Sequence, residues 1–155
     1  GLSLALERPQ WQVTLIDLSA EALSVAQCNA HDLSARVTLQ QGNWLEGCDG
    51  PFALIVSNPP YIDPTDHHLE QGDVRFEPRS ALVADQRGLA DLATIITQSS
   101  SRLVVGGCLL LEHGYQQGAE VRTLMVAGGF DAVRTERDLG GNERVTVGQL
   151  TVNSE

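Results

Sequence analysis

The sequence predicts an α/β fold with a mostly parallel β-sheet and an antiparallel last strand. Short apolar runs typical of buried strands alternate along the chain with stretches that repeat apolar residues at helical spacing. Such alternation is typical of a parallel sheet covered by helices on both faces. After the last predicted helix, two extended runs around a glycine-rich loop indicate an antiparallel pair.

The first part of the chain is predicted to hold two helices and three strands. Ser19 is the expected N-cap of the longer helix because it directly precedes the helical pattern. The predicted ranges are helix 1–7, strand 12–17, helix 20–33, strand 37–41 and strand 52–57.

The second part begins with a polar, turn-rich connection over residues 61–87, a length that usually indicates function or mobility. Gly106 and Gly107 are expected to turn the chain into the next strand, and Gly128 and Gly129 to stop the last helix. The predicted ranges are helix 88–103, strand 108–112, helix 117–127, and strands 130–136 and 144–150.

Composition sets limits on the function. The 155 residues, 42% of them hydrophobic, suit one globular domain over 1–155. No apolar run reaches membrane-spanning length and the first residues lack a signal-peptide pattern, so we expect a cytoplasmic protein without a membrane partner. The net charge of −10 argues against a broad phosphate-binding surface, and no direct nucleic-acid binding is expected.

Cysteine and histidine residues give no prediction of a metal site. Cys28, Cys48 and Cys108 are odd in number and lack metal-ligand spacing, so we expect reduced residues used in packing. The adjacent His67 and His68 are more typical of a solvated loop than of a metal centre.

The chemistry is expected at four residues that end the strand over 52–57, namely Asn58, Pro59, Pro60 and Tyr61, called the tetrad below. The prolines lack N–H donors and leave their carbonyl oxygens bare. The Asn58 side-chain oxygen and the Pro59 carbonyl could both accept from one NH2 group and stabilise its growing positive charge during attack. Tyr61 could cover the flat face of that group. A simple Pro-Pro turn is the alternative.

Polar residues also follow the other predicted strands, and ligands bind at the carboxyl ends of such strands. Asp17 is placed to accept hydrogen bonds from two ribose hydroxyls, or simply to favour the start of the next helix through its charge. Asn43 and the Trp44 N–H could meet an adenine edge. A plain turn at Asn43 and a packing role for Trp44 are the alternatives.

These residues resemble a known family, the HemK/PrmC-type protein-(glutamine-N5) methyltransferases, which act on the Gly-Gly-Gln glutamine of peptide-chain release factors. The resemblance covers essentially the whole chain. It extends beyond the tetrad, which other amino-methyltransferases share, to these strings: Ile62-Asp63, His68-Leu69, Gly72 to Pro78, Ala81-Leu82, Leu110 to Gly114 and Asn142 to Val145.

The resemblance implies a Rossmann-like class I fold and S-adenosylmethionine-dependent methylation of a side-chain amide nitrogen. It implies that Asn58 and the Pro59 carbonyl bind the glutamine NH2, with Tyr61 packed on the amide plane. Asp17 would hold the cofactor ribose, and Asn43 takes the place beside the adenine where the family often has an acid. Arg75 and Glu77 would shape the loop over the substrate.

The family's glycine-rich cofactor loop and first strand should lie upstream of Gly1, which leads us to expect a fragment of a longer protein. Two alternative functions stay open. One is an amino-methyltransferase acting on a nucleic-acid base, and the other is a non-catalytic substrate-binding fragment.

Overall fold

The computed structural model describes residues 1–61 and 89–151, and it confirms the α/β class. Helices and strands mostly alternate in the described ranges, but two strands follow one another over residues 37–57 and again after the last helix. The described elements are α1 (Leu2–Glu7), β1 (Val13–Asp17), α2 (Ala20–Asp32), β2 (Val37–Gln41), β3 (Phe52–Ser57), α3 (Ala90–Ser100), β4 (Leu103–Glu112), α4 (Gly118–Ala127), β5 (Phe130–Arg137) and β6 (Glu143–Leu150).

The chain forms two compact units, Gly1–Cys48 and Asp49–Glu155. In the first unit β1 and β2 pair in parallel, in a continuous register from Val13 opposite Val37 to Asp17 opposite Gln41. The two strands therefore end side by side. Ser19 caps α2 as predicted, because its Oγ accepts the Ala22 N–H at 3.1 Å.

The second unit contains a four-stranded sheet in the order β3-β4-β6-β5. The β3–β4 pair is parallel, whereas β6 is antiparallel to both β4 and β5. This mixture of parallel and antiparallel strands is the predicted one. The described strands nevertheless form two sheets rather than one. Within residues 1–61 and 89–151, no strand of the β1–β2 sheet pairs with a strand of the four-stranded sheet.

Strand β4 differs from its predicted range, since it begins at Leu103 and contains the two glycines that were expected to precede it. Opposite Phe52–Leu54 of β3 lies the longer segment Leu103–Cys108, so β4 carries a bulge. Gly106 adopts a φ of +84°, and a Cβ on Gly107 would lie 2.9 Å from the Val104 carbonyl oxygen. Glycine at these two positions therefore allows the strand to continue through a bulge where a turn was expected.

The core of the second unit lies between the four-stranded sheet and two helices, α3, which packs on β4, and α4, which packs on β5 and β6. Leu109 and Leu111 of β4 are fully buried, and they alternate with half-buried neighbours as a strand covered on one face requires. Other fully buried side chains come from both helices and from β6: Leu92, Val121, Met125 and Leu150.

The cysteines are free, and only part of the packing expectation holds. Cys48 is buried and Cys108 is partly buried, but Cys28 is exposed on α2, so the expectation of a packing role was wrong for Cys28.

A helix that could cross a membrane is not found among the described residues.

We expect Leu111→Ala to lower the free energy of unfolding by about 2–5 kcal/mol, because the substitution removes a fully buried side chain from the central strand and leaves a cavity. The matched control is Val105→Ala on the same strand, where the side chain is 60% exposed. Denaturant unfolding of both variants measures the difference. Equal losses would show that Leu111 is not part of the core.

Candidate functional site

The tetrad leaves the carboxyl end of β3, where the sequence predicted it. Asn58 directly follows the strand and is exposed, whereas Pro59 is buried and anchors the turn. Within residues 1–61 and 89–151, no hydrogen bond engages the Asn58 side chain or the Pro59 carbonyl. Neighbouring groups in these ranges therefore occupy neither acceptor.

Tyr61 is held at two points by the next strand and helix. Its phenol donates to Glu112 Oε1 at 3.2 Å, and its carbonyl accepts from Gln117 Nε2 at 3.0 Å. Partial burial, reinforced by the negative charge of Glu112, raises the pKa of the Tyr61 phenol above its ordinary value. The phenol therefore keeps its proton at neutral pH and acts as the donor in the bond to Glu112.

This meeting follows from the register of β3 and β4. Val56 lies opposite Leu110 and Ser57 opposite Leu111, so the chain beyond each strand leaves the sheet at the same edge. The segment Glu112–Gly114, called the β4 corner below, thereby comes next to the tetrad. A Cβ on Gly114 would lie 3.6 Å from Tyr61 Cδ2, in ordinary van der Waals contact.

His113 of the β4 corner is fully buried and hydrogen-bonded through both ring nitrogens. Nδ1 lies 2.9 Å from the Gly114 carbonyl, and Nε2 lies 2.8 Å from Thr146 Oγ1. Because a carbonyl only accepts, Nδ1 carries the proton of the neutral ring, and Nε2 accepts from the Thr146 hydroxyl. The ring thus connects the β4 corner to the last strand through a buried hydrogen bond.

The hydrogen bond from Thr146 is the last step of a directed chain. Arg122 Nη1 donates to Thr135 Oγ1 at 2.7 Å, and Thr135 Oγ1 lies 2.8 Å from Thr146 Oγ1. Since the Thr146 hydroxyl proton goes to His113, Thr135 must be the donor to Thr146. The chain from Arg122 to the Gly114 carbonyl then has one consistent direction.

An ion pair fixes the start of this chain. Arg122 Nη1 lies 3.0 Å from Glu143 Oε2, and the hydrogen bond from Arg122 lowers the pKa of the Glu143 carboxyl. The glutamate therefore stays ionised and holds the guanidinium beside Thr135.

The hairpin between β5 and β6 is closed by a second acid. Asp138 Oδ1 accepts the Asn142 N–H at 3.0 Å, and this bond lowers the pKa of the Asp138 carboxyl. Arg144 Nη2 lies 3.2 Å from Asp138 Oδ2, and Arg144 Nη1 donates to the His113 carbonyl at 3.3 Å. The hairpin thus supports the β4 corner from the antiparallel side of the sheet.

In the first unit the predicted cofactor residues gather at the ends of β1 and β2. Asp17 Oδ1 accepts the Ser19 N–H at 2.8 Å, and the Asp17 carbonyl accepts the Gly42 N–H at 3.1 Å. Asn43 is exposed in the turn that follows β2, and Trp44 adopts a φ of +55°. An exposed carboxylate beside an exposed carboxamide suits a ligand with hydroxyls and a hydrogen-bonding edge, such as a nucleoside.

Both alternatives considered for Asp17 fit its geometry. Its bond to the Ser19 N–H places the carboxylate just before α2, where the charge favours the helix N-terminus. A carboxylate has two oxygens with about four acceptor positions, so this bond leaves room for hydroxyl donors. Trp44 is half-buried, which is consistent with a partial packing role.

Some predicted residues lie outside the described ranges. Arg75, Glu77, His67 and His68 belong to this group. Within the described ranges, no three His, Cys, Asp or Glu side chains are grouped in a way that could hold a metal ion.

Sequence reasoning missed the residues that hold the tetrad and the β4 corner in place. Gln117 was placed inside a helix, although it precedes that helix and bonds to Tyr61 and Gly114. Arg122, Thr135 and Thr146 carry no local signal, because their roles depend on three elements meeting in space.

Lowering the pH from 7.5 to 5.5 should destabilise the protein partly through His113. Burial lowers the pKa of the His113 ring, so near pH 6.5 and below the unfolded chain binds more protons than the folded chain. Stability contributed by the neutral ring is therefore present above the unfolded pKa and lost as the pH falls towards the folded value. The slope for one proton is at most about 1.4 kcal/mol per pH unit.

We expect His113→Gln to flatten this pH dependence, as measured by denaturant unfolding across the same range. His31→Gln is the matched control, because His31 lies on the surface of α2 and its side chain is 88% exposed. An unchanged slope in the His113 variant would contradict the assignment.

Comparisons with known proteins show what the sequence and the fold of this chain are similar to. The family model of the methyltransferase small domain matches residues 1–74. Among solved structures, a methyltransferase from Pyrococcus furiosus has a TM-score of 0.72 at 16% identity and covers 96% of this chain and 69% of its own. This similarity shows the fold and confirms the predicted Rossmann-like architecture.

Relatives with much higher identity carry a more specific name. The release factor glutamine methyltransferase of Salmonella typhimurium is 53% identical over 97% of this chain, and that of Pseudomonas aeruginosa is 52% identical over 94%. The chain spans about half the length of these relatives, 55% and 54% respectively. Over nearly its whole length the chain is therefore similar to release factor glutamine methyltransferases, the family that its tetrad and flanking strings resemble.

Proposed function

We propose that residues 1–155 form a methyltransferase catalytic domain that transfers a methyl group from S-adenosylmethionine to the side-chain amide nitrogen of a glutamine in peptide-chain release factors. The name shared by relatives that are about half identical supports the substrate. The observation that carries the proposal is the pair of acceptors at the tip of β3, the Asn58 side-chain oxygen and the Pro59 carbonyl, which no hydrogen bond occupies within the described ranges.

The two acceptors address the difficulty of the reaction. An amide nitrogen is a poor nucleophile because its lone pair is delocalised into the carbonyl group. Two oxygens that accept from the NH2 group orient it and stabilise the positive charge that grows on nitrogen. The nitrogen gains a methyl group and then loses one proton to water, so no strong base is needed.

Tyr61 is proposed to lie against the plane of the glutamine amide. The hydrogen bond from its phenol to Glu112 holds the tip of the side chain, and the hydrogen bond from Gln117 to its carbonyl holds the main chain that carries the ring. A ring with little rotational freedom can hold the amide plane in one orientation towards the methyl donor. Pro60, partly buried beside Pro59, stiffens the chain that leads to this ring.

The cofactor is proposed to bind through the first unit. S-adenosylmethionine supplies an activated methyl group and leaves as a neutral thioether. Asp17 would accept hydrogen bonds from the ribose hydroxyls, while the Asn43 side chain and the Trp44 N–H would meet the adenine edge. From the sequence alone, Asn58 is proposed to contact the cofactor as well as the substrate.

Two further parts of the proposal come from the sequence alone. We propose that Arg75 and Glu77 shape the loop over the substrate. A cytoplasmic location, with no membrane or direct nucleic-acid partner, suits free cysteines and an acidic chain.

Methyl transfer to a release factor tests the substrate. We expect the full-length protein to transfer labelled methyl from S-adenosylmethionine to a release factor, but not to a variant of that factor with alanine in place of the Gly-Gly-Gln glutamine. Duplex DNA and RNA serve as alternative acceptors in parallel reactions. Label found only in nucleic acid would contradict the proposed substrate and support the base-modifying alternative.

Asn58→Ala should lower the rate of methyl transfer on the order of a hundredfold, because it removes one of the two positioned acceptors. Cofactor affinity, measured by calorimetry, should change much less than the rate. Asn29→Ala is the matched control, since Asn29 is an exposed asparagine on α2. Equal losses of rate and affinity in the Asn58 variant would indicate a collapsed loop rather than a missing acceptor.

A further inference from the structure

Gln117 connects the tetrad to the β4 corner through a single side chain. Its Oε1 accepts the Gly114 N–H at 2.8 Å, and its Nε2 donates to the Tyr61 carbonyl at 3.0 Å. The orientation of this carboxamide is determined by its partners, because an N–H can only donate and a carbonyl can only accept. A reversed amide would lose both bonds.

The main chain of Gln117 is itself fixed. Its N–H donates to the Gly114 carbonyl at 2.9 Å, and its own carbonyl accepts the Val121 N–H at 3.0 Å as the first turn of α4 forms. Gly114 is in turn bound on both sides, since its carbonyl also faces His113 Nδ1. The side chain of Gln117 therefore projects from a supported point rather than from a loose loop.

The partner of Gln117 on the tetrad is a main-chain atom. Tyr61 lies three residues beyond Asn58, and the intervening prolines restrict the backbone between them. Holding the Tyr61 carbonyl therefore limits the positions open to Asn58 and to the Pro59 carbonyl. Glu112 cannot replace this effect, because it contacts the phenol at the far end of the side chain.

We propose that Gln117 is a positioning residue for methyl transfer, which sets the placement of the tetrad through the Tyr61 carbonyl. The inference rests on the proposed function and extends it to a residue that does not touch the substrate. A displacement of about 1 Å at a reacting group can lower a rate on the order of a hundredfold, so one such bond suffices to matter.

Gln117→Glu separates the two bonds. A carboxylate still accepts the Gly114 N–H, but it offers no donor to the Tyr61 carbonyl and places a negative oxygen against it. Gln116→Glu is the matched control, because this substitution introduces the same charge one residue away. Gln116 is exposed, and in the described ranges its side chain bonds only to the Tyr115 hydroxyl. Gln117→Leu removes both bonds without adding charge.

Two measurements on the full-length protein test the proposal. In steady-state methyl transfer to a release factor, kcat should fall on the order of 10- to 100-fold in both Gln117 variants. The calorimetric Kd for S-adenosylmethionine should change less than about threefold, and Gln116→Glu should match the wild type.

In fluorine NMR of protein labelled with 3-fluorotyrosine, the Tyr61 resonance is assigned as the one that Tyr61→Phe removes. This resonance should shift or broaden only in the Gln117 variants.

The two measurements distinguish a wrong inference about Gln117 from a wrong proposed function. An unmoved Tyr61 resonance in both Gln117 variants would overturn the inference whatever the activity, and so would a shifted resonance with an unchanged kcat. A wild-type protein that transfers no methyl to release factors would refute the proposed function instead. The fluorine spectra would then still decide whether Gln117 holds Tyr61.

Discussion

The parallel pairing of β3 with β4 is the interaction on which the candidate site depends. Its register brings the chain beyond Ser57 and the chain beyond Leu111 to one edge of the sheet. Tyr61 can then reach Glu112 with its phenol and Gln117 with its carbonyl. A slip of one residue would turn every side chain of the strand to the opposite face and separate these partners, so the buried leucines of β4 stabilise the site as well as the core.

Support for the β4 corner comes from the antiparallel half of the sheet. The His113 N–H donates to the Arg144 carbonyl, and the His113 ring meets Thr146 on β6. Two of the strings that carried the family resemblance, 110–114 and 142–145, are therefore neighbours in space. Their shared pattern has a structural reason, because each string provides hydrogen-bond partners for the other.

The sequence was sufficient to predict elements whose pattern is local. Short runs rich in apolar and β-branched residues, each closed by turn residues, located β2 and β3 to the residue, and Ser19 was identified as a cap from its place before a helical pattern. Placement of the tetrad at a strand end followed from two prolines after an apolar run. These signals are short-range, so one chain without relatives contains them.

Features that depend on distant residues could not be predicted in this way. The bulge in β4 requires the Ala53 and Val104 carbonyls to approach Gly107, which two adjacent glycines alone do not reveal. Gln117 and Thr146 are ordinary polar residues until the sheet places them beside Tyr61 and His113. Hydrogen bonds between side chains of separate elements are set by tertiary structure, and no periodic pattern in the sequence predicts them.

The bond between Asp17 Oδ1 and the Ser19 N–H has a consequence for how a ligand would be received. The carboxylate is already held by a hydrogen bond in its own turn, so a diol that binds it would restrict less side-chain freedom. A glutamate at this position would keep the charge but lose the two-residue turn that fixes it. Pre-organisation, rather than charge alone, would then explain why the shorter acid stands at the end of β1.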